Sequence, residues 1–328
     1  MPTLKEIKGR IGSVQSTLKI TSAMKLVSSA KLRKAQTAIA NMRPYEEQLQ
    51  RILSTVQAAS GTKKAVFVSE QPKNEGSDTE SAVSVSGKVI ILALASNSSL
   101  CGGFNANAIG KVKGLLKEYP DATVYSIGRK MADAMRKAGY PLPKDYSELS
   151  EHPSYSPAAE LTEKLMEELE KGHIGKVFLV YNHFVTTAKQ VPVVEQFLPI
   201  CHSERSEESA SQGPTASENY FSGRYPKSQF PEAIANPARR EADALPADVI
   251  LEPNAKELLE ALIPKTLKLK LYAALLDSAA AEHAARTVAM QTATDNGEDL
   301  LDELTLQYNK GRQQKITSEI LDLASGQQ

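Results

Sequence analysis

Apolar residues at the two ends of the chain recur at helical spacing, whereas those in the middle do not. Near the start, Ile7, Ile11, Val14 and Leu18 stand four, three and four residues apart. That repeat lines one seam of a helix pair. It continues less strictly through Ala23, Met24, Val27 and Ala30. The pattern predicts one helix over residues 1–60, spanning about 80 Å at the helical rise. Pro44 lies inside it and is expected to kink it or loosen a turn, because proline lacks the N–H that a helix needs.

The last part of the chain, residues 254–328, predicts a matching helix. Asn254 or Pro264 opens it, and the pattern then runs from Thr266 to about Ala324 without another proline. Leu300, Leu304, Ile316, Ile320 and Leu323 supply the expected apolar face. Gly297 and Gly311 interrupt it, each costing about 1 kcal/mol relative to alanine. A glycine there is either an accident or a place where another backbone comes close. Two helices this long need each other or a partner, since a small globular domain cannot bury them.

Between them the period changes. KVIILALA (Lys88–Ala95) is a continuous apolar run, the signature of a strand buried on both faces. A loop, SNSSLCGGFN, leads to the helical stretch ANAIGKVKGLLKEYP. Then come a strand in ATVYSIG, a helix in RKMADAMRKAG and a third helix from Pro157 to Lys171. KVFLVYNHF and QVPVVEQFLPI close the region as a candidate hairpin. The alternation predicts an α/β, Rossmann-like domain over 86–201 with a largely parallel sheet. Residues 69–86 are polar and read as a surface loop. Residues 202–247 are rich in proline, serine and charge without periodicity, and are expected to be poorly ordered.

Composition narrows the function. Lys plus Arg and Asp plus Glu each number 39 in 328 residues, so the chain lacks the basic excess of a nucleic-acid binder. No run of eighteen apolar residues is present, and the first residues lack the apolar core of a secretory signal, which predicts a cytoplasmic chain. The balance is local, however: Met1 to Arg51 holds ten cations against three anions. Such a face is solvated or meets an acidic partner.

Candidate chemistry is sparse. SLCGGFN sits between strand and helix, where a phosphate loop would sit, but it has neither G-x-G-x-x-G nor G-K-[ST]. Its paired glycines serve a tight turn more simply. The five histidines have no metal-ligand spacing, and Cys101 and Cys201 read as reduced structural thiols. The sequence therefore predicts no catalytic residue, no metal site and no cofactor.

The ends also carry a family resemblance. ITSAMKLVSSAKLRKAQ (Ile20–Gln36), followed by Arg43-Pro44-Tyr45, resembles the N-terminal helix of γ subunits of rotary F-type ATP synthases. RTVAMQTATDNGEDLLDELTLQYNKGRQQKITSEILDLASG (Arg286–Gly326) resembles their C-terminal helix, and SLCGGFN has the family's form. The resemblance implies an antiparallel coiled coil of the two terminal helices, inserted into a ring of α and β subunits. Its α/β domain would lie against the ε subunit and the membrane c-ring. The implied role is a non-catalytic rotor shaft at the cytoplasmic face of a bacterial inner membrane, touching the membrane only through the complex. Met24, Lys25, Arg312, Gln313 and Thr317 match positions that contact the catalytic subunits, and Leu321, Leu323 and Ala324 match the tip that turns in an apolar bearing. Chloroplast relatives carry a regulatory insertion with a cysteine pair; residues 202–247 contain no cysteine. Two other classes fit the residues alone: a free-standing coiled-coil scaffold and a small-molecule enzyme built on the α/β domain.

Overall fold

In the computed structural model, which describes residues 3–60, 87–141, 146–199 and 254–326, the two terminal patterns become helices of 57 and 71 residues. The expected loop at 69–86, the segment 202–247 and Cys201 lie outside the described residues.

Both long helices begin with reciprocal capping. Helix α1 (Leu4–Ser60) is opened by Thr3, whose hydroxyl accepts the Glu6 N–H at 3.3 Å while Glu6 accepts the Thr3 N–H at 3.0 Å. Helix α6 (Ala255–Ser325) is opened by Asn254, whose side-chain oxygen accepts the Glu257 N–H at 2.9 Å. Asn254 and not Pro264 is thus the start. Pro264 lies inside the helix, where its cost of about 3 kcal/mol is offset by burial of Leu262, Ile263 and Leu267 around it. α1 likewise runs unbroken through Pro44, whose ring sits on an exposed face.

The central region forms a four-stranded sheet in the order β2-β1-β3-β4. Strand β1 (Lys88–Leu94) pairs in parallel with β2 (Thr123–Ile127) and β3 (Ile174–Phe184), and β4 (Gln190–Leu198) closes the expected hairpin antiparallel to β3. Four helices connect the strands: α2 (Phe104–Glu118), α3 (Arg129–Lys137), α4 (Ser147–Glu151) and α5 (Tyr155–Glu170). The last begins two residues before the expected Pro157. α4 was not foreseen, because five residues hold no complete helical repeat.

β1 explains its own unbroken apolar sequence. Ile91 and Ala93 face a cluster made by Val112 and Leu116 of α2 and Met131 and Met135 of α3. Ile90, Leu92 and Leu94 face the opposite side, where α5, the first third of α6 and the end of α1 pack together. Leu49 and Val56 of α1 and Leu259, Leu267 and Leu271 of α6 belong to that core. The long helices are therefore part of the sheet domain as well as extensions from it.

Beyond the sheet, α1 and α6 run side by side in opposite directions. Leu4 lies over Gly311, Leu18 lies over Gly297, and the Thr294 hydroxyl bonds the Thr21 hydroxyl at 3.0 Å. As the α1 partner advances from 4 to 18, the α6 partner retreats from 311 to 297, so the register is continuous and antiparallel. On α1 the contact line alternates strictly by three and four residues from Leu4 to Val56, and no member of that line is exposed. Its middle is polar: Thr21, Lys25 and Ser28 hold seam positions. The apolar residues expected there, Ala23, Val27 and Ala30, are exposed, because the phase set by the flanking aliphatic turns carries them to the outside. On α6 the corresponding line runs through Met290, Thr294, Gly297, Leu301, Leu304 and Tyr308 to Gly311. Leu304 is buried as expected. Leu300, one position out of phase, and Ile316, Ile320 and Leu323, beyond the reach of α1, are exposed.

Candidate functional site

The crevice at the carboxyl ends of parallel strands is where open α/β folds bind ligands. Here α6 packs across it and leaves a small cavity. The ends of β1 and β2, at Leu94, Ala95 and Ile127, face Leu275, Ser278, Ala279 and Glu282 of α6, with Ser150 of α4 alongside. The Ser150 hydroxyl donates to the Ala95 carbonyl at 2.7 Å. The turn from β2 into α3 passes so close at Gly128, φ 118°, that a β-carbon there would meet the Ala95 oxygen at 2.1 Å.

SLCGGFN, the one stretch with the placement of a phosphate loop, is part of this joint. The Arg286 guanidinium of α6 donates to the Ser98 hydroxyl at 2.7 Å and to the Ser99 carbonyl at 3.5 Å. Its other arm holds Glu282 at 2.7 Å. Burial raises the Glu282 pKa, and Arg286 opposes that rise. A β-carbon at Gly102, φ 54°, would lie 3.8 Å from Ala289 Cβ on α6. Cys101 is buried and unbridged beneath the loop, 3.1 Å from the Asn105 amide nitrogen. Leu100 adopts φ 66° although it is not glycine, and its side chain is exposed. A second anchor ties the end of β3 to α6: fully buried Asp277 accepts the Phe184 N–H at 3.1 Å and pairs with His183 Nδ1 at 2.6 Å. Neither anchor was legible in the sequence, since each joins residues far apart along the chain. The nearest signal was a run of polar letters, Asp277, Ser278, Glu282 and Arg286, within an otherwise alanine-rich helix.

At the other end α6 is bare. Gly311 is opposite Leu4, so residues 312–325 extend past α1 by about 20 Å at the helical rise. Arg312, Gln313 and Thr317 are exposed on this extension, and the Thr317 hydroxyl bonds back to the Gln313 carbonyl at 2.9 Å. Leu321 and Leu323 are exposed too, at 63% and 76%; Ala324 lies on the same turn. Met24 and Lys25 are half-buried, Lys25 on the seam and Met24 beside it. In the antiparallel register they lie about 30 Å along the axis from Arg312. The expected contact residues are thus not one cluster but two bands. A feature that apolar periodicity concealed surrounds the first band: Ile20, Leu26 and Val27 of α1 are 56–68% exposed on the outer face while the seam beneath is polar.

The described geometry is thus a long two-helix rod rooted in an α/β domain, with one helix of the rod packed across the carboxyl ends of the strands. Comparison with known proteins identifies the group. A family model described as ATP synthase matches residues 3–328. The ATP synthase gamma chain of Phocaeicola vulgatus is 41% identical over 331 residues, covering 99% of both chains, and that of Bacteroides fragilis is 40% identical with the same coverage. The rotor of Euglena gracilis mitochondrial ATP synthase has the same fold, with a TM-score of 0.57 at 17% identity over 95% of this chain and 98% of that one. The chain belongs to the ATP synthase gamma family. It is a subunit of that complex, the central shaft, and not the catalytic subunit. Its relatives are as long as it is, so residues 202–247 are not a large addition peculiar to this chain.

Proposed function

We propose that this chain carries torque from a base formed by its sheet domain, through a coiled coil of α1 and α6, to the exposed tip of α6. The observation that carries the reading is the reversal of polarity on α1. Ile20, Leu26 and Val27 face outward while Thr21, Lys25 and Ser28 face the partner helix. A lone helix pair would place these the other way round, and exposed apolar residues at such density mark a surface that meets another protein.

The α and β subunits of a catalytic ring are the partners that surround the coil, and the cations of α1 face acidic loops there. Met24 and Lys25 form the lower contact band; Arg312, Gln313 and Thr317 form the upper one; Leu321, Leu323 and Ala324 turn in an apolar bearing. The base, a Rossmann-like domain over 86–201, rests on the ε subunit and the c-ring at the cytoplasmic face of a bacterial inner membrane. Among the described residues no helix is long and apolar enough to cross a membrane.

The physical demand is considerable. Three to four charges crossing roughly 150 mV deliver about 10–14 kcal/mol per step. The anchors at Asp277 and Arg286 pass that work from base to shaft, and the shaft's orientation favours a different conformation in each catalytic subunit. Met24→Lys tests the lower band. It adds a cation beside Lys25 and deepens one angular well by about 1 kcal/mol for an exposed new ion pair. The expected enzyme assembles and hydrolyses ATP at near-normal rates while pumping protons poorly. Normal pumping would remove Met24 from the contact, and failure to assemble would make it a packing residue only.

A further inference from the structure

A heptad seam repeats, so two helices that share one stay in phase after a slip of seven residues. The core fixes α1 at its domain end through Leu49 and Val56. The opposite end of α1 lies more than forty residues away, about 60 Å along the helix. There the aliphatic seam alone does not distinguish one register from the next.

Two glycines do. A β-carbon at Gly297 would lie 2.7 Å from Leu18 Cδ2 and 3.3 Å from its Cγ, and one at Gly311 would lie 3.0 Å from Leu4 Cδ2. The spaces above these glycines are therefore filled by leucine side chains from α1. By contrast, Gly9, Gly12, Gly110 and Gly114, also within helices, have nothing within 4 Å of an added β-carbon. The glycines on α6 and the leucines on α1 are separated by the same interval, two heptads. A slip of seven residues would bring Leu18 opposite Leu304 or Met290, both buried seam residues, and would leave the hollow at Gly297 facing Ile11 or Lys25.

We propose that Gly297 and Gly311 are keyholes for Leu18 and Leu4, and that these pairs lock the far end of α1 to α6 in one register. The lock fixes how far the bare tip projects and makes the two helices turn as one. It is internal to the chain and needs none of the partners named above. Its cost is local: glycine is a poor helix former, and α6 holds two of them in the stretch where α1 covers only one line of its residues.

The test is a register reporter in the full chain. Thr21→Cys and Thr294→Cys place thiols where two hydroxyls now lie 3.0 Å apart, in a background with Cys101 and Cys201 replaced by serine. Oxidation should form the 21–294 bridge rapidly, scored by mass spectrometry of the linked peptides. Gly297→Leu should slow bridge formation about tenfold, because an overfilled seam forces the helices apart or out of register. Helix propensity alone predicts the reverse, since leucine strengthens α6. The exchange Leu18→Gly with Gly297→Leu moves the knob to the other helix and should restore bridging to within about twofold of the parent, because total side-chain volume is kept. Bridging at the parent rate in Gly297→Leu overturns the proposal. So does an exchange variant that stays as slow as the single one. Should Gly297→Leu fail to fold, the exchange variant decides: bridging in it supports the lock, and its failure refutes it.

Discussion

The two ends of α6 are one continuous helix in opposite circumstances. From Leu267 to Ala285 most residues are buried and none is exposed, and the segment is rich in leucine and alanine so that the sheet, α5 and α1 all approach it closely. From Gln291 to Gly311 only one line of residues is covered, and from Arg312 onward none of the described side chains is. The same backbone hydrogen bonds run throughout. The buried end is held by tertiary packing, whereas the bare end has only its local helical preference, which sustains short isolated helices poorly in water. What holds the helix thus changes along its length while its geometry does not.

Three experiments would break or sharpen that contrast. The largest effect belongs to the buried end. Leu271 is fully buried in the sheet core, so Leu271→Ala should lower global stability by about 2–5 kcal/mol. Urea unfolding followed by circular dichroism measures it, and a change below about 1 kcal/mol would mean that this end of α6 is not integral to the core. The half-covered stretch should respond selectively. Leu304→Ala, at 6% exposure, should cost about 2 kcal/mol, and Leu300→Ala, at 45%, within about 0.5 kcal/mol. Equal effects would place the seam elsewhere.

The smallest effect is a pH dependence at the junction. Burial, reinforced by the charges of Arg286 and Lys31, holds the His283 pKa at about 4, below its ordinary 6.5. Between those values the unfolded chain binds a proton that the folded chain refuses. Stability contributed by the neutral ring is therefore full above 6.5, falls as pH drops towards 4 and levels off below it. Glu282 works in the opposite sense, because burial raises its pKa and the folded state takes up a proton before the unfolded chain does as pH falls. His283→Gln should remove about 1 kcal/mol of the wild-type loss across that window after screening. Parallel thermal-shift curves for the two proteins would show that His283 is not the group responsible.

Much of this architecture is readable from spacing. β1 announces itself by an apolar run that only a strand buried on both faces needs, and the β3–β4 hairpin by two neighbouring runs of β-formers. The seam is readable at its aliphatic ends, Ile7 to Leu18. It is lost in the middle because following apolar letters leads to Ala23, Val27 and Ala30, while the true line passes through Thr21, Lys25 and Ser28. The same habit selects Leu300 over Leu301. Ile316, Ile320 and Leu323 carry a seam-like spacing that nothing in the chain covers, so hydropathy cannot tell an internal seam from an external bearing. Gly297 and Gly311 were conspicuous as letters, but their leucine partners follow only from the antiparallel register. Asp277 and Arg286 leave no local pattern, because one answers to the end of β3 and the other to the loop after β1, each more than ninety residues away.

The sharing of one core between the first and last helices also bears on how the protein is made. The core cluster that contains β1 and β3 also contains Leu49 and Val56 of α1 and Leu259 to Leu275 of α6. A ribosome adding 5–20 residues per second releases the α1 residues roughly 10–40 s before those of α6. Throughout that interval α1 has a seam with nothing to close on, and once β4 has emerged the sheet has one covered face and one open face. The nascent chain therefore holds its own aggregation-prone surfaces apart until the final segment emerges. Synthesis from the ribosome should show late, nearly simultaneous acquisition of protease resistance by the sheet, α1 and α6, in place of domain-by-domain folding.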